Sequence, residues 1–174
     1  IEVAVKEVLE YLLEVLDDND YWTNTSGLCE VMFNEGGAVE KPTIKNDKIE
    51  IDFVEGVQFD ATEYSNSKIH SGVFTSTFTK DGYYFTKLTK YTRQGDDYII
   101  EKELYRALTD SQEVGEKINY NEYFDDKQSF KLLNFKSIPF TYKKPRIKNN
   151  QVINSPYGLP IWWNAIDTIA DIDL

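Results

Sequence analysis

Between residues 71 and 106 the chain alternates aromatic and β-branched residues with polar ones, and two turn signals interrupt the run. They are Asp81-Gly82 and Gln94-Gly95-Asp96-Asp97. Successive side chains of a strand point to opposite faces, so a two-residue period marks a half-buried strand. An Asp-Gly pair is the strongest short hairpin signal, because the tight turn it makes needs positive φ. Together these features predict three consecutive antiparallel strands over 71–80, 83–93 and 98–106. Such a meander has to bury one face, and 12 Tyr and 10 Phe supply the surface to do so.

Elements of both kinds flank the meander. Val5, Val8, Leu9, Leu12, Leu13 and Leu16 fall on one stripe, with Lys6, Glu7, Glu10 and Glu14 around it, which predicts an amphipathic helix over 3–16. Asp17, Asp18 and Asp20 end that helix, and Tyr21-Trp22 reads as a connector. From Gly27 the spacing is read as alternating, giving a strand over 28–33, a turn over 35–37 and a returning strand over 38–44. Ile49, Ile51 and Phe53 alternate with charged residues and predict a strand over 48–54, with a short extended segment at 58–62. Residues 65–72 read as a polar loop. Residues 109–129 read as a polar stretch holding a loop or short helix at 119–126. The segment 135–142 reads as an edge strand interrupted by Pro139.

The charge, −11 from 30 acidic and 19 basic residues, argues against a surface built to grip phosphate backbone. It suits solubility, or a wall that repels nucleic acid. No apolar run approaches the ~18 residues of a membrane span, and no membrane partner is expected. Cys29 is the only cysteine and reads as a buried structural thiol. His70 is the only histidine, so any Ser-His-Asp triad has to pass through it. Glu35-Gly36-Gly37-Ala38 lacks the Lys of a phosphate-binding loop. Asp17, Asp18 and Asp20 lack the Gly and closing Glu of a calcium loop. We therefore expect no catalytic, cofactor-binding or metal-binding residue and no cofactor.

Two features remain near the end of the chain. Lys143, Lys144, Arg146 and Lys148 form a basic cluster in what reads as an exposed loop over 143–150. Pro160 then suits the first turn of a helix carrying Trp162, Trp163, Ile166, Ile169, Ala170 and Leu174 at helical spacing. Trp162, Trp163, Ile166 and Ile169 are the expected subunit or domain contact, since large aromatics dominate interface energetics. The pattern opens at Ile1 already helical and runs uncapped to Leu174, which leads us to expect a piece of a longer polypeptide.

The order of these pieces resembles the portal, or connector, proteins of tailed phages and prophages of low-GC Gram-positive bacteria, often labelled minor capsid proteins. The resemblance runs through the strand starting at Gly27-Leu28-Cys29, through Lys41-Pro42-Thr43-Ile44, and through the 48–54 strand before Gln58-Phe59. It continues through the strand pair around Asp81-Gly82 and closes on Lys144-Pro145-Arg146. Its most specific part is Ser155-Pro156-Tyr157-Gly158 leading to Asn164-Ala165-Ile166-Asp167-Thr168, which is similar to the family's passage from wing to stem. The resemblance implies a ring at one capsid vertex through which DNA is packaged and ejected without specific binding. It implies as partners other portal subunits, terminase, capsid and head-completion proteins, and a virion location after assembly in the host cytoplasm.

The fold class expected is α+β in a single domain over 1–174. It comprises an N-terminal helix over 1–20, a β-rich core over 27–142, and a basic loop and C-terminal helix over 143–174. The expected function is structural and non-enzymatic. The alternative is a small acidic binding module, such as a toxin-neutralising immunity protein, whose carboxylates mask a basic partner. A third reading is a small-molecule-binding enzyme using His70 or a buried carboxylate.

Overall fold

The structure is a computed structural model that describes residues 2–45, 48–109, 114–146, 152 and 154–163. It is α+β, with two N-terminal helices and antiparallel sheets. The chain divides into two compact units. The first comprises residues 1–56, 139–153 and 157–174, and the second residues 57–138 and 154–156.

In the first unit, helix α1 (Glu2–Asp18) is followed by α2 (Tyr21–Glu35). Asp20 separates them in the left-handed region, with φ 45°. The segment 28–33 is thus helix, not the expected strand, and Tyr21-Trp22 is its first turn, not a connector. The reason lies in which residues turn inward. Tyr21, Thr25, Leu28, Cys29, Val31, Met32 and Glu35 are the half-buried or buried positions, and steps of three and four join most of them in a helical repeat. Gly27 sits on the open outer side, where it carries no strand meaning.

Helix α2 packs on a three-stranded sheet ordered β2-β1-β9, formed by β1 (Ala38–Lys45), β2 (Lys48–Glu55) and β9 (Thr141–Lys143). Strand β1 is central only over Ala38–Glu40, where β9 pairs with it. Pro42, which has no N–H to donate, falls just past that pairing, where β1 has become an edge. The expected strand at 135–142 contracts to β9, beyond Pro139. Asn19 ties the helices to this sheet. Its Nδ2 donates to the Ile49 carbonyl at 3.0 Å, and its Oδ1 accepts from the Ile51 N–H at 2.8 Å.

The apolar stripe of α1 is not buried. Val5, Val8, Leu9, Leu12 and Leu13 are each exposed at half of their surface or more. Among the residues of α1 whose burial is described, only Val15 and Leu16, near its last turn, are half covered.

The second unit is a sheet ordered β3-β4-β5-β6-β7, with β8 also pairing β6. Its strands are β3 (Phe59–Ser65), β4 (Lys68–Lys80), β5 (Tyr83–Gln94), β6 (Asp97–Leu108), β7 (Glu116–Ile118) and β8 (Ser129–Leu132). The meander is as expected, and Asp81 and Gly82 take φ of 51° and 77°. Strand β4 starts at Lys68, earlier than expected, because Asn66 and Ser67 (φ 50° and 60°) close a tight hairpin where the sequence reads as loop. The register puts Phe74, Phe78, Phe85, Tyr91, Tyr98, Ile100 and Leu104 on one face. A short 3-10 turn at Tyr120–Glu122 covers part of it, with Tyr120 and Phe124 stacking and Tyr120 fully buried. The Tyr120 hydroxyl donates to Asp126 at 2.7 Å, and burial together with that carboxylate raises its pKa well above the ordinary value.

Candidate functional site

The first unit places Trp162 and Trp163, two of the four sequence-predicted contact residues, at the C-terminal end of α2. Gly36 ends that helix in the left-handed region (φ 84°), its N–H donating to the Met32 carbonyl. Its backbone lies against Gly158. A Cβ on Gly158 would stand 2.2 Å from the Gly36 carbonyl oxygen, so only glycine permits this approach. The approach brings residues 159–163 to the helix end. The Ile161 N–H donates to the Phe33 carbonyl at 3.0 Å, and the Trp162 Nε1–H donates to the Asn34 carbonyl at 3.1 Å.

Trp162 and Trp163 stand 6.2 Å apart by ring centroid, in a turn closed by the Trp163 N–H on the Pro160 carbonyl. Phe33, Ile161 and Trp162 remain exposed, which leaves an apolar surface at this corner. Ile166 and Ile169, and with them the expected C-terminal helix beyond residue 163, lie outside the described residues.

The basic cluster differs from expectation. Lys143 belongs to β9 and is paired to Glu40 across the strand pair, while Glu40 also accepts from Tyr21 Oη (3.3 Å) and Thr25 Oγ1 (3.1 Å). Burial works against the Lys143 ammonium, but the bond to Glu40 and its charge prevail and raise the pKa. Lys144 is half-buried, and burial lowers its pKa. Arg146 is exposed, and Lys148 lies outside the described residues. Lys143 is thus held in a structural ion pair, while Arg146 stays exposed as expected of a loop. Cys29 is half-buried rather than buried.

In the second unit the sequence reading missed a cleft. Glu63, Tyr64, Ser65, His70, Arg93 and Gly95 line a depression of about 440 Å³, open to solvent. Register shifts in β3 on either side of Glu63 mark a local irregularity, after which the pairing returns to its earlier register. Ser65 Oγ lies 2.7 Å from His70 Nε2, and Arg93 Nη1 lies 3.4 Å from His70 Nδ1. Arg93 also donates through Nε to the Gly95 carbonyl at 3.0 Å. The Ser71 hydroxyl donates to Glu63 at 3.0 Å and accepts from the Arg93 N–H at 3.1 Å.

These contacts assign the histidine tautomer. A guanidinium has only donors, so Nδ1 is the acceptor and the neutral ring carries its proton on Nε2. Nε2 therefore donates to Ser65. A triad needs the opposite arrangement, with Nε2 accepting from the serine and a carboxylate on Nδ1. The only signal in the sequence was a serine and a histidine five apart across Asn66-Ser67, legible only once that pair is known to be a hairpin.

Among the described residues no group of three or more His, Cys, Asp or Glu is placed to hold a metal ion, and no helix is long and apolar enough to cross a membrane. No protein-family model matches the chain, and no curated protein matches it.

Proposed function

We propose that this chain is a structural part of a tailed-phage portal ring, without enzymatic activity of its own, contributing to the conduit for DNA packaging and ejection. The observation that carries the reading is uncovered apolar surface in the first unit. The α1 stripe and the Phe33, Ile161 and Trp162 corner are exposed, whereas a solitary soluble domain covers most contiguous apolar surface. A ring built from one repeated contact needs two different patches per subunit, one for each neighbour. The segments that resemble the portal family include Ser155 to Gly158, and Gly158 is the residue packed against the end of α2. The net charge of −11 suits a wall past which DNA must slide.

The test is negative-stain electron microscopy of the complete gene product, purified at micromolar concentration. Rings with a central channel support the proposal. Uniform small particles that light scattering identifies as monomers refute it, and direct attention to the acidic binding module.

A further inference from the structure

The hydrogen bonds around His70 have a direction, and that direction selects a ligand. Arg93 Nη1 donates to His70 Nδ1, and His70 Nε2 then donates to Ser65 Oγ. With its acceptor site taken by the imidazole, the Ser65 hydroxyl is left to direct its own proton outward, and Ser65 is exposed. The Arg93 Nε is spent on the Gly95 carbonyl, which leaves the Nη end of the guanidinium for further bonds. Both groups line the same open cleft of about 440 Å³, within the size range of small-molecule sites. Arg93 and Ser65 bring donors there, one of them with a fixed positive charge, beside the Glu63 carboxylate on the cleft wall.

We propose that this cleft binds a small oxyanion, a carboxylate or a phosphate, through the Arg93 Nη groups and the Ser65 hydroxyl, with His70 as the positioning residue between them. The paired N–H groups of a guanidinium match the two oxygens of such a group. Glu63 is the charged group that opposes binding from the cleft wall. Its Oε2 is engaged by the Ser71 hydroxyl, which itself accepts from the Arg93 N–H. The tight hairpin at Asn66 and Ser67, which pairs Ser65 with Lys68, brings Ser65 to the His70 ring. The proposal stands apart from the portal reading and rests on the second unit alone.

His70 is the only histidine, so its ring nitrogens report the site without ambiguity. The full chain, labelled with 15N, is examined at pH 7.5 by long-range 1H–15N correlation. It is then titrated with sodium acetate, sodium phosphate and, at matched ionic strength, sodium chloride. We expect the proton on Nε2, and saturable shifts of the His70 signals with acetate, phosphate or both but not with chloride. The anion that acts tells carboxylate from phosphate. Arg93→Gln should weaken the response about tenfold, the scale of a lost hydrogen bond to a charged group. Ser65→Ala, an exposed change that leaves the fold alone, should weaken it severalfold and covers the case in which the Arg93 variant fails to fold. A proton on Nδ1, shifts no larger than those with chloride, or an affinity unchanged in a folded variant would each overturn the proposal.

Discussion

Glu103 is held by three donors, and its removal has a pH signature that can be worked out in advance. It projects from β6. Its Oε1 pairs with Lys117 Nζ of β7 at 2.7 Å, and its Oε2 pairs with Lys90 Nζ of β5 at 2.7 Å. The Tyr105 hydroxyl adds a third donor at 3.0 Å. The hydrogen bonds from Lys117 and Lys90 bring the pKa from an ordinary 4.5 down to about 2, against a smaller opposing effect of burial.

Unscreened, a drop of that size corresponds to about 3.4 kcal/mol of preference for the charged form in the folded state. The Glu103 side chain is only 16% exposed, but Lys90 and Lys117 are 41% and 53% exposed, so water and salt screen both partners. We expect Glu103→Gln to cost about 1–2 kcal/mol at pH 7. The folded pKa lies below the unfolded one. The stabilisation is therefore complete above pH 4.5 and is lost as pH falls through about 2.

The assay is urea unfolding of both proteins at pH 7, 4.5, 3 and 2. It has to be followed by far-UV circular dichroism, because all three tryptophans lie outside the second unit. The stability difference between the two proteins should be constant from pH 7 to about 5 and then close toward zero. A difference that stays constant down to pH 2, or that is absent at pH 7, would falsify the reasoning.

Three further outcomes are expected. Gly158→Ala drives a methyl into the Gly36 carbonyl, and should destabilise the first unit by about 2–3 kcal/mol, read from tryptophan fluorescence in urea. Lys143→Met leaves Glu40, whose side chain is 11% exposed, without its cation, and should cost about 2 kcal/mol by the same probe. Adding Glu40→Gln in that background should recover part of the loss, and no recovery would show that the charge is not the cause. Leu9→Asp with Leu12→Asp, on the open face of α1, should change stability by no more than about 0.5 kcal/mol. In the complete gene product the same pair should abolish rings, and intact rings would exclude α1 from the subunit contact.

The α+β class and the central meander were legible because their determinants are local. Alternation over 71–106 and the conformational demand of Asp81-Gly82 act within a few residues, and the structure reproduces them strand by strand. Helix α1 was legible for the same reason, with its periodicity and the acidic stop at Asp17 and Asp18. Helix α2 was misread because Thr23, Thr25, Ser26 and Gly27 have weak helix propensity, so the run that follows them looked like the start of a strand. Packing against β1 and β2 overrides that preference by giving Tyr21, Thr25, Leu28 and Met32 something to face.

Of the candidate sites, the aromatic pair could be picked out from residue type, but not its seat on Asn34 or the Gly36–Gly158 approach that creates it. The His70 cleft was invisible, since it depends on the hairpin at Asn66 and Ser67, read as loop, and on Arg93 arriving from another strand.

The sequence by itself therefore determined α1, the strands and hairpin turns of the meander, and the excess of negative charge, but not α2 or the short strands β7 and β8, which fall where it reads as polar or irregular. Tertiary structure decided which faces are covered. It paired Lys143 with Glu40 over a separation of 103 residues, left the α1 stripe open, and directed the donors of Arg93 and Ser65 into one cleft. The physical reason is one of range. Backbone preference and side-chain alternation are set by neighbours in the chain, whereas burial and ion pairing depend on segments that meet only once the chain has folded.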